Sequence, residues 1–213
     1  MANFNGAQPA SNGNSEGLVA KFDSDLTSLA WGTYLGGSGH DACYSLILDK
    51  NNNVFVAGGT ASSDLVTTAG VVQPVFQGAP TDGFIAKILS DGSAVDALTY
   101  YGTHAYDQVY FVRIDDEENV YVYGQSASMD GTLVFNAAYN SVNSGMFISK
   151  LSNDLSSVIW STTFGSGTAE INLSPTAFAV DICNNIYLSG WGSPSAGFGW
   201  IPNWILDPNG FVG

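Results

Sequence analysis

The sequence predicts an all-β fold made of repeated units, and three observations support this. Gly, Tyr and Phe are abundant, at 25, 10 and 12 residues, a composition typical of short strands joined by tight turns. A segment of the chain recurs at a fixed spacing. Within each copy, short stretches alternate in polarity with the period of a pleated strand. Residues that favour helices are scarce, so we expect almost no helix.

The recurring segment is LILDKNNNVFVAGGT at 46–60, VRIDDEENVYVYGQS at 112–126 and FAVDICNNIYLSGWG at 178–192. The three copies align without a gap at a spacing of 66 residues. The positions that all three copies share are Asp49, Asp115 and Asp181; Asn53, Asn119 and Asn185; and Gly58, Gly124 and Gly190. A shared composition alone would not keep this register, so each copy is a repeated supersecondary unit.

Two further elements recur in step with the first. One is GLVAKF at 17–22, GFIAKI at 83–88 and MFISKL at 146–151, which places a basic residue at one repeat position: Lys21, Lys87 and Lys150. The other is LAWGTYLGG at 29–37, ALTYYGT at 97–103 and VIWSTTFGSG at 158–167. Each copy therefore contributes four short strands. We name them, after their first occurrence, a (44–49), b (54–58), c (18–22) and d (29–35).

Turn chemistry and alternation predict how these strands are arranged. Strands a and b flank an Asp-x-x-x-Asn turn, and they form a hairpin because Asp and Asn side chains bond the local backbone in such turns. Strand c has apolar residues on one face and its lysine on the other. We therefore expect the last residue of strand c, which is Phe22, Ile88 or Leu151, to be buried between neighbouring units.

Four-stranded sheets that repeat at a fixed period, with apolar residues on both faces, predict a β-propeller, in which each blade packs between two others. The predicted divisions are a polar leader (1–16), a half blade (17–40), two blades (41–106 and 107–170), a half blade (171–192) and an irregular aromatic-rich tail (193–213). Three blades' worth of strands is fewer than the roughly four needed to surround a channel. We therefore expect an open, incomplete array whose exposed edges associate with further repeats or with other copies.

Composition and charge exclude several classes of protein. The chain has a formal net charge of −14, which repels nucleic acid and anionic membrane surfaces. No apolar stretch is long enough to span a bilayer, and the first residues do not resemble a signal peptide. Two cysteines, Cys43 and Cys183, fall at non-equivalent repeat positions, so we expect them to be unpaired.

Three stretches of the chain resemble a known family. They are the AK[FI] strand, the W-x-TYLGG-x-G-x-D stretch and the D-x-x-x-N-V-[FY]-V-x-G hairpin. Over residues 17–192 the chain resembles the seven-bladed β-propeller (SBBP-type) repeat of bacterial surface proteins. Such repeats occur in large, secreted, adhesin-like proteins of Bacteroidota, many of them associated with gliding motility. The resemblance implies an extracellular or cell-surface location, and it ends after Gly192.

The a–b turns are the candidate metal sites. Their oxygen-bearing side chains stand at alternate positions, like the start of a calcium loop: Asp49, Asn51 and Asn53, and Asp115, Glu117 and Asn119. Neither turn has the glycine or the distal glutamate of such a loop, and the third copy, DICNN, offers fewer ligands. We favour plain hairpin turns, with weak calcium binding as the alternative, and we expect no other cofactor.

No catalytic motif is present in the sequence. His40 and His104 occupy non-equivalent positions in the d-to-a connections, whereas Asp41 and Asp107 recur there and are interpreted as residues that fix the loop. Trp31 and its equivalent Trp160 are interpreted as packing residues on strand d. Trp200 and Trp204 lie in the predicted tail, which either covers a blade edge or belongs to a longer loop.

These observations favour a non-enzymatic surface module. We expect it to bind a protein or a glycan through its acidic face and through the segments between strands b and c (60–82 and 126–144), whose length varies between copies. The alternative is a propeller-based hydrolase or lyase that acts on polysaccharides at the central channel. That alternative requires carboxylates that converge from the ends of several a strands, and each repeat offers a single aspartate there.

Overall fold

The computed structural model describes residues 4–78, 80–141, 143–165 and 173–192. The predicted tail, with Trp200 and Trp204, lies outside these residues. All regular structure in the described ranges is β-strand, which confirms the predicted fold class. None of these residues forms a helix of the length and apolarity that a membrane crossing requires.

The described residues form twelve strands in chain order. They are β1 (Gly17–Phe22), β2 (Leu29–Leu35), β3 (Asp41–Leu48), β4 (Val54–Thr60), β5 (Asp82–Ile88), β6 (Val95–Tyr101), β7 (Asp107–Ile114), β8 (Val120–Ser126), β9 (Met146–Leu151), β10 (Val158–Phe164), β11 (Leu173–Val180) and β12 (Ile186–Gly192).

The strands form two complete antiparallel sheets, ordered β3-β4-β5-β6 and β7-β8-β9-β10, and two half sheets, β1-β2 and β11-β12. Each complete sheet is the a-b-c-d unit that the repeat predicts, with neighbours in the chain paired as neighbours in space. Within the described residues, β1 pairs only with β2 and β12 pairs only with β11. The array is therefore open.

The core is a series of layers between adjacent sheets, because each complete sheet has apolar side chains on both faces. One layer joins the half sheet β1-β2 to the first complete sheet through Val19, Trp31 and Phe84. A second joins the two complete sheets, and a third joins β7-β10 to β11-β12. Every residue of β4 is buried as a result, because β4 is a central strand of its sheet and both of its faces are covered.

The repeated glycines of strand b make room for an aromatic ring. A Cβ atom at Gly58 would lie 2.5 Å from the Phe84 ring, and one at Gly124 would lie 2.4 Å from the Phe147 ring. Gly58 and Phe84 are directly paired in the sheet, as are Gly124 and Phe147. Steric exclusion across strands b and c therefore explains why this position holds glycine.

The expectation for the last residue of strand c is confirmed for Ile88 and Leu151, which are fully buried, and wrong for Phe22, which is 53% exposed. The face of β1 that carries Val19 packs on the next sheet. The opposite face, which carries Phe22, has no described sheet against it. A pattern of alternation identifies the two faces of a strand, but burial also depends on whether a neighbour is present.

Residues 4–16, interpreted from sequence as a polar leader, lie along the outer strand β2. The Tyr34 amide donates to the Gln8 carbonyl at 2.9 Å, and the equivalent Tyr100 amide donates to the Gln73 carbonyl at 3.1 Å. Residues 4–16 thus correspond to a segment between strands b and c. In each unit this segment occupies the hydrogen-bonding edge of strand d, an edge that would otherwise be open to other strands.

Replacing Ile88 with Ala should lower the free energy of unfolding by about 2–5 kcal/mol, because it leaves a cavity in the layer that joins two sheets. Ile182, which is 84% exposed, provides the matched control. Ile182→Ala should change stability by less than about 0.5 kcal/mol. Urea denaturation followed by tryptophan fluorescence measures both, and equal effects would contradict the described packing.

Candidate functional site

The Asp49 side chain organises the first a–b turn. Its Oδ1 accepts the amides of Asn51 at 2.9 Å and Asn53 at 2.8 Å, and its Oδ2 accepts the Asn53 side-chain amide at 2.9 Å. Asn52 adopts a positive φ of 62°, which Asn tolerates better than most residues. The carboxylate therefore bonds the backbone of its own turn, as the turn chemistry predicts.

The other two turns repeat this geometry. Oδ1 of Asp115 accepts the amides of Glu117 and Asn119 at 3.0 and 2.8 Å. Oδ1 of Asp181 accepts the amide of Asn185 at 2.9 Å. All six candidate calcium ligands thus lie in two equivalent hairpin turns, three in each.

A lysine of strand c lies close to the a–b turn in each of the two complete sheets. Lys150 Nζ lies 2.8 Å from Asp115 Oδ2, and Lys87 Nζ lies 4.0 Å from Asp49 Oδ2, with both ion pairs largely shielded from solvent. The two ammonium groups also lie over aromatic rings, Lys150 over Tyr121 at 5.0 Å and Lys87 over a phenylalanine at 5.4 Å. The turns of Asp49 and Asp115 thus each have a nearby ammonium group, which a calcium ion would have to displace.

The Asp115–Lys150 pair shifts both pKa values. Burial acts to raise the pKa of Asp115, but hydrogen bonds from Lys150 and Asn119 outweigh it and lower the pKa. Burial acts to lower the pKa of Lys150, but hydrogen bonds with Asp115 and Tyr121 outweigh it and raise the pKa. Both shifts favour the charged pair, so this group is a structural clamp between strands b and c.

Asp41 and Asp107 hold the d-to-a connections. Asp41 Oδ2 accepts the Gly37 amide at 2.9 Å and the Ser62 hydroxyl at 2.8 Å. Asp107 Oδ2 accepts the amide and hydroxyl of Thr103 at 2.6 and 2.8 Å. The two histidines of these connections are solvent-exposed and have different partners, Ser15 for His40 and Asp130 for His104.

Asp82 is a buried carboxyl at the start of strand c in the first complete sheet. Burial raises the pKa of Asp82 from 3.8 to about 7, although the Gln77 amide lowers it, and the nearby Asp107 adds to the rise. Burial likewise raises the pKa of Asp107. Within the described ranges, no group of three or more His, Cys, Asp or Glu residues is placed to hold a metal ion.

Two tyrosines, one on β3 and one on β7, form an aromatic pair at the inner edge of the array. The strands of type a, β3, β7 and β11, are called the inner strands below. Strand a carries a bulge in both complete sheets, between Cys43 and Ser45 in β3 and between Val109 and Phe111 in β7. The bulged residues are Tyr44 and Tyr110, and their rings stack at 5.2 Å with an interplanar angle of 23°. Tyr44 remains 45% exposed.

The position of this pair makes it a candidate binding surface. Strands β3, β7 and β11 contact one another in succession along the inner edge of the array, and bulges re-aim side chains at such positions. Burial raises the pKa of Tyr110, and a hydrogen bond with Tyr106 raises it further, so its phenol is neutral at physiological pH. The sequence pattern alone did not predict this pair, although its members stand 66 residues apart, as the other repeat positions do.

The tryptophans of strand d pack as predicted. Trp31 is buried between β1-β2 and the next sheet, where its indole donates to the Ser90 carbonyl at 3.2 Å. Trp160 packs edge-on against Tyr121 with a ring separation of 5.8 Å.

Both cysteines are free, as predicted, and burial raises the pKa of Cys43 to about 12, which makes it an unreactive thiol.

Comparisons with known proteins identify the repeat over part of the chain. Residues 30–65 match the protein-family model SBBP, described as Beta-propeller repeat, and this stretch comprises most of β2 and all of β3 and β4. The chain is also similar to the crystal structure of BamB from Moraxella catarrhalis, at 15% identity and a TM-score of 0.32. The similarity covers 86% of this chain and 54% of BamB, so the chain spans about half of that protein. No curated protein matches the chain.

Replacing Asp115 with Ala should lower the free energy of unfolding by about 3 kcal/mol, because it leaves Lys150 buried without its partner. Asp181→Ala removes the same kind of turn hydrogen bonds, but no described lysine contacts Asp181, so it should cost clearly less. Denaturant unfolding at micromolar protein concentration compares the two variants. Equal losses would show that the lysine adds nothing to the turn.

Asp82→Asn should flatten the pH dependence of stability. Because the folded pKa is raised, the stability that Asp82 contributes is complete below its unfolded value of 3.8 and is lost as the pH rises through about 7. Urea titrations between pH 4 and 8 should show a smaller decline in the variant. Asp64→Asn is the control: the Ser38 amide lowers the pKa of this exposed carboxylate, so its contribution is lost only in acid.

Proposed function

We propose that the chain is a non-enzymatic β-propeller repeat module of a secreted or cell-surface, adhesin-like protein, and that it binds a protein or a glycan. The observation that carries this proposal is the stacked, solvent-accessible pair of Tyr44 and Tyr110 on the inner strands. Tyrosines of this kind contribute large, rigid contact areas with a hydrogen-bonding end, at low entropic cost.

An uncharged glycan is the partner that these features favour. The C–H face of a sugar ring packs on an aromatic face, and sugar hydroxyls bond phenol groups, of which Tyr44, Tyr106 and Tyr110 supply three. The net charge of −14 opposes anionic polysaccharides. The segments between strands b and c, which the sequence suggests as a binding surface, form hydrogen bonds along the d strands at the outer edge. They are a second candidate location for the binding site.

A glycan array at low ionic strength should identify neutral glycans that bind the chain. The double variant Tyr44→Ala and Tyr110→Ala should lose binding at least tenfold, because it removes both rings, whereas Tyr44→Phe should retain most of it. Isothermal titration with the strongest glycan measures these affinities.

Phe135→Ala is the control, because Phe135 is an exposed aromatic residue on a segment between strands b and c. It should leave glycan binding unchanged. Loss of binding in this variant alone would move the site to the outer segments. Depolymerisation of a polysaccharide by the purified chain, abolished by a chelator, would instead support the enzymatic alternative.

A further inference from the structure

Two strand edges of complementary type have no pairing strand among the described residues, at opposite ends of the array. In both complete sheets, strand b pairs with strand c in an antiparallel ladder. β12 is a strand of type b whose described partner is β11 alone, and β1 is a strand of type c whose described partner is β2 alone. Each edge therefore presents the backbone groups that the other type of strand bonds in a complete sheet.

The lysine clamp is divided between these two edges. In the second complete sheet the clamp joins Asp115 of the a–b turn, Lys150 of strand c and the Tyr121 ring of strand b. In the first, Lys87 lies over the Phe55 ring at 4.0 Å from Asp49 and also pairs with Asp96 at 3.4 Å. The half sheet β11-β12 supplies the aspartate as Asp181 and the ring as Tyr187, which corresponds to Tyr121 and is 57% exposed. The half sheet β1-β2 supplies the lysine as Lys21, whose described contact is a 3.4 Å bond to the Ser90 carbonyl.

The contact between the repeated glycine of strand b and the aromatic ring of strand c is also divided between the two half sheets. The rings of Phe84 and Phe147 cover Gly58 and Gly124, whereas the three atoms nearest to a Cβ atom built at Gly190 are backbone atoms of Ser174 and Pro175. The residue of β1 that corresponds to Phe84 is Leu18, and its side chain is exposed. Shape and charge thus point to the same pairing of β12 with β1.

We propose that β12 of one copy pairs with β1 of a second copy and completes a four-stranded blade between the two chains. The register of the complete sheets places Gly190 opposite Leu18 and Ile186 opposite Phe22, and it brings Asp181 to Lys21. Opposite charges that face each other across the new edge select this partner over a random strand. The clamp of the composite blade then contains residues from both copies.

The number of described strands is consistent with a closed dimer. Such a contact is head to tail, so it forms a ring if it closes and a filament if it does not. The described residues of each chain supply the strands of three blades, and those of two chains supply six, which lies within the roughly four to eight blades that surround a channel. Three chains would supply nine, outside that range.

Light scattering coupled to size exclusion tests the proposal through a charge exchange. The wild-type chain at tens of micromolar should have twice the 22.3 kDa mass of one chain. Lys21→Asp and Asp181→Lys should each weaken the dimer at least tenfold, because like charges then face each other. The double variant should bind at least threefold more tightly than either single variant, because opposite charges face each other again, although Asp181→Lys also removes the turn hydrogen bonds of Asp181. Circular dichroism verifies that each variant is folded.

Lys50→Asp and Asp154→Lys make the same changes of charge at exposed positions in turns of the two complete sheets, and they should leave the dimer intact. A monomeric wild type, single variants without effect, or a double variant that fails to recover would each overturn the proposal. If the wild type is monomeric, the β1 edge pairs instead with residues of the same chain or with a different protein. An open-ended series of larger species would overturn the closed ring.

A disulfide tests the register independently. With Cys43 and Cys183 replaced by alanine and serine, Phe22→Cys and Ile186→Cys should form a covalent dimer on mild oxidation, because directly paired strand residues meet the Cα separation of a disulfide. Leu18→Cys with Ile186→Cys lies four residues out of register and should not cross-link. Equal cross-linking of both pairs would overturn the proposed register.

Discussion

The structure depends on the burial of both faces of each sheet. A sheet with apolar residues on two sides is stable only between two neighbours, and the three core layers follow from this requirement. The requirement also explains why Phe22 is exposed although its equivalents Ile88 and Leu151 are buried. The outer faces of the two half sheets are the places where the array can accept a further sheet.

Within each sheet, the register is held by contacts between strands b and c. A phenylalanine fits over the repeated glycine, and a lysine joins the turn aspartate while it lies over an aromatic ring. These contacts link residues that are distant in the chain, such as Asp115 and Lys150. Because they are spatially specific, a half sheet carries a recognisable half of each of them, and this property turns an unpaired edge into a selective one.

The features that bear on binding occupy a different part of the fold. Bulges in strand a direct Tyr44 and Tyr110 toward each other along the inner edge, where neighbouring units contact. The outer edge is occupied by the segments between strands b and c, which bond strand d. The proposed ligand surface on β3 and β7 and the proposed assembly surface on β1 and β12 would therefore not compete for the same residues.

The sequence by itself determined the repeated four-strand unit, the hairpin turns at Asp49, Asp115 and Asp181, and the burial of Ile88 and Leu151, because turn chemistry and alternation act over a few residues. Only the tertiary structure decided the exposure of Phe22, the place of residues 4–16 along β2, the clamp of Asp115 by Lys150 and the stacking of Tyr44 on Tyr110. Each of these depends on which strands become neighbours and how sheets face one another, and local sequence patterns do not encode that.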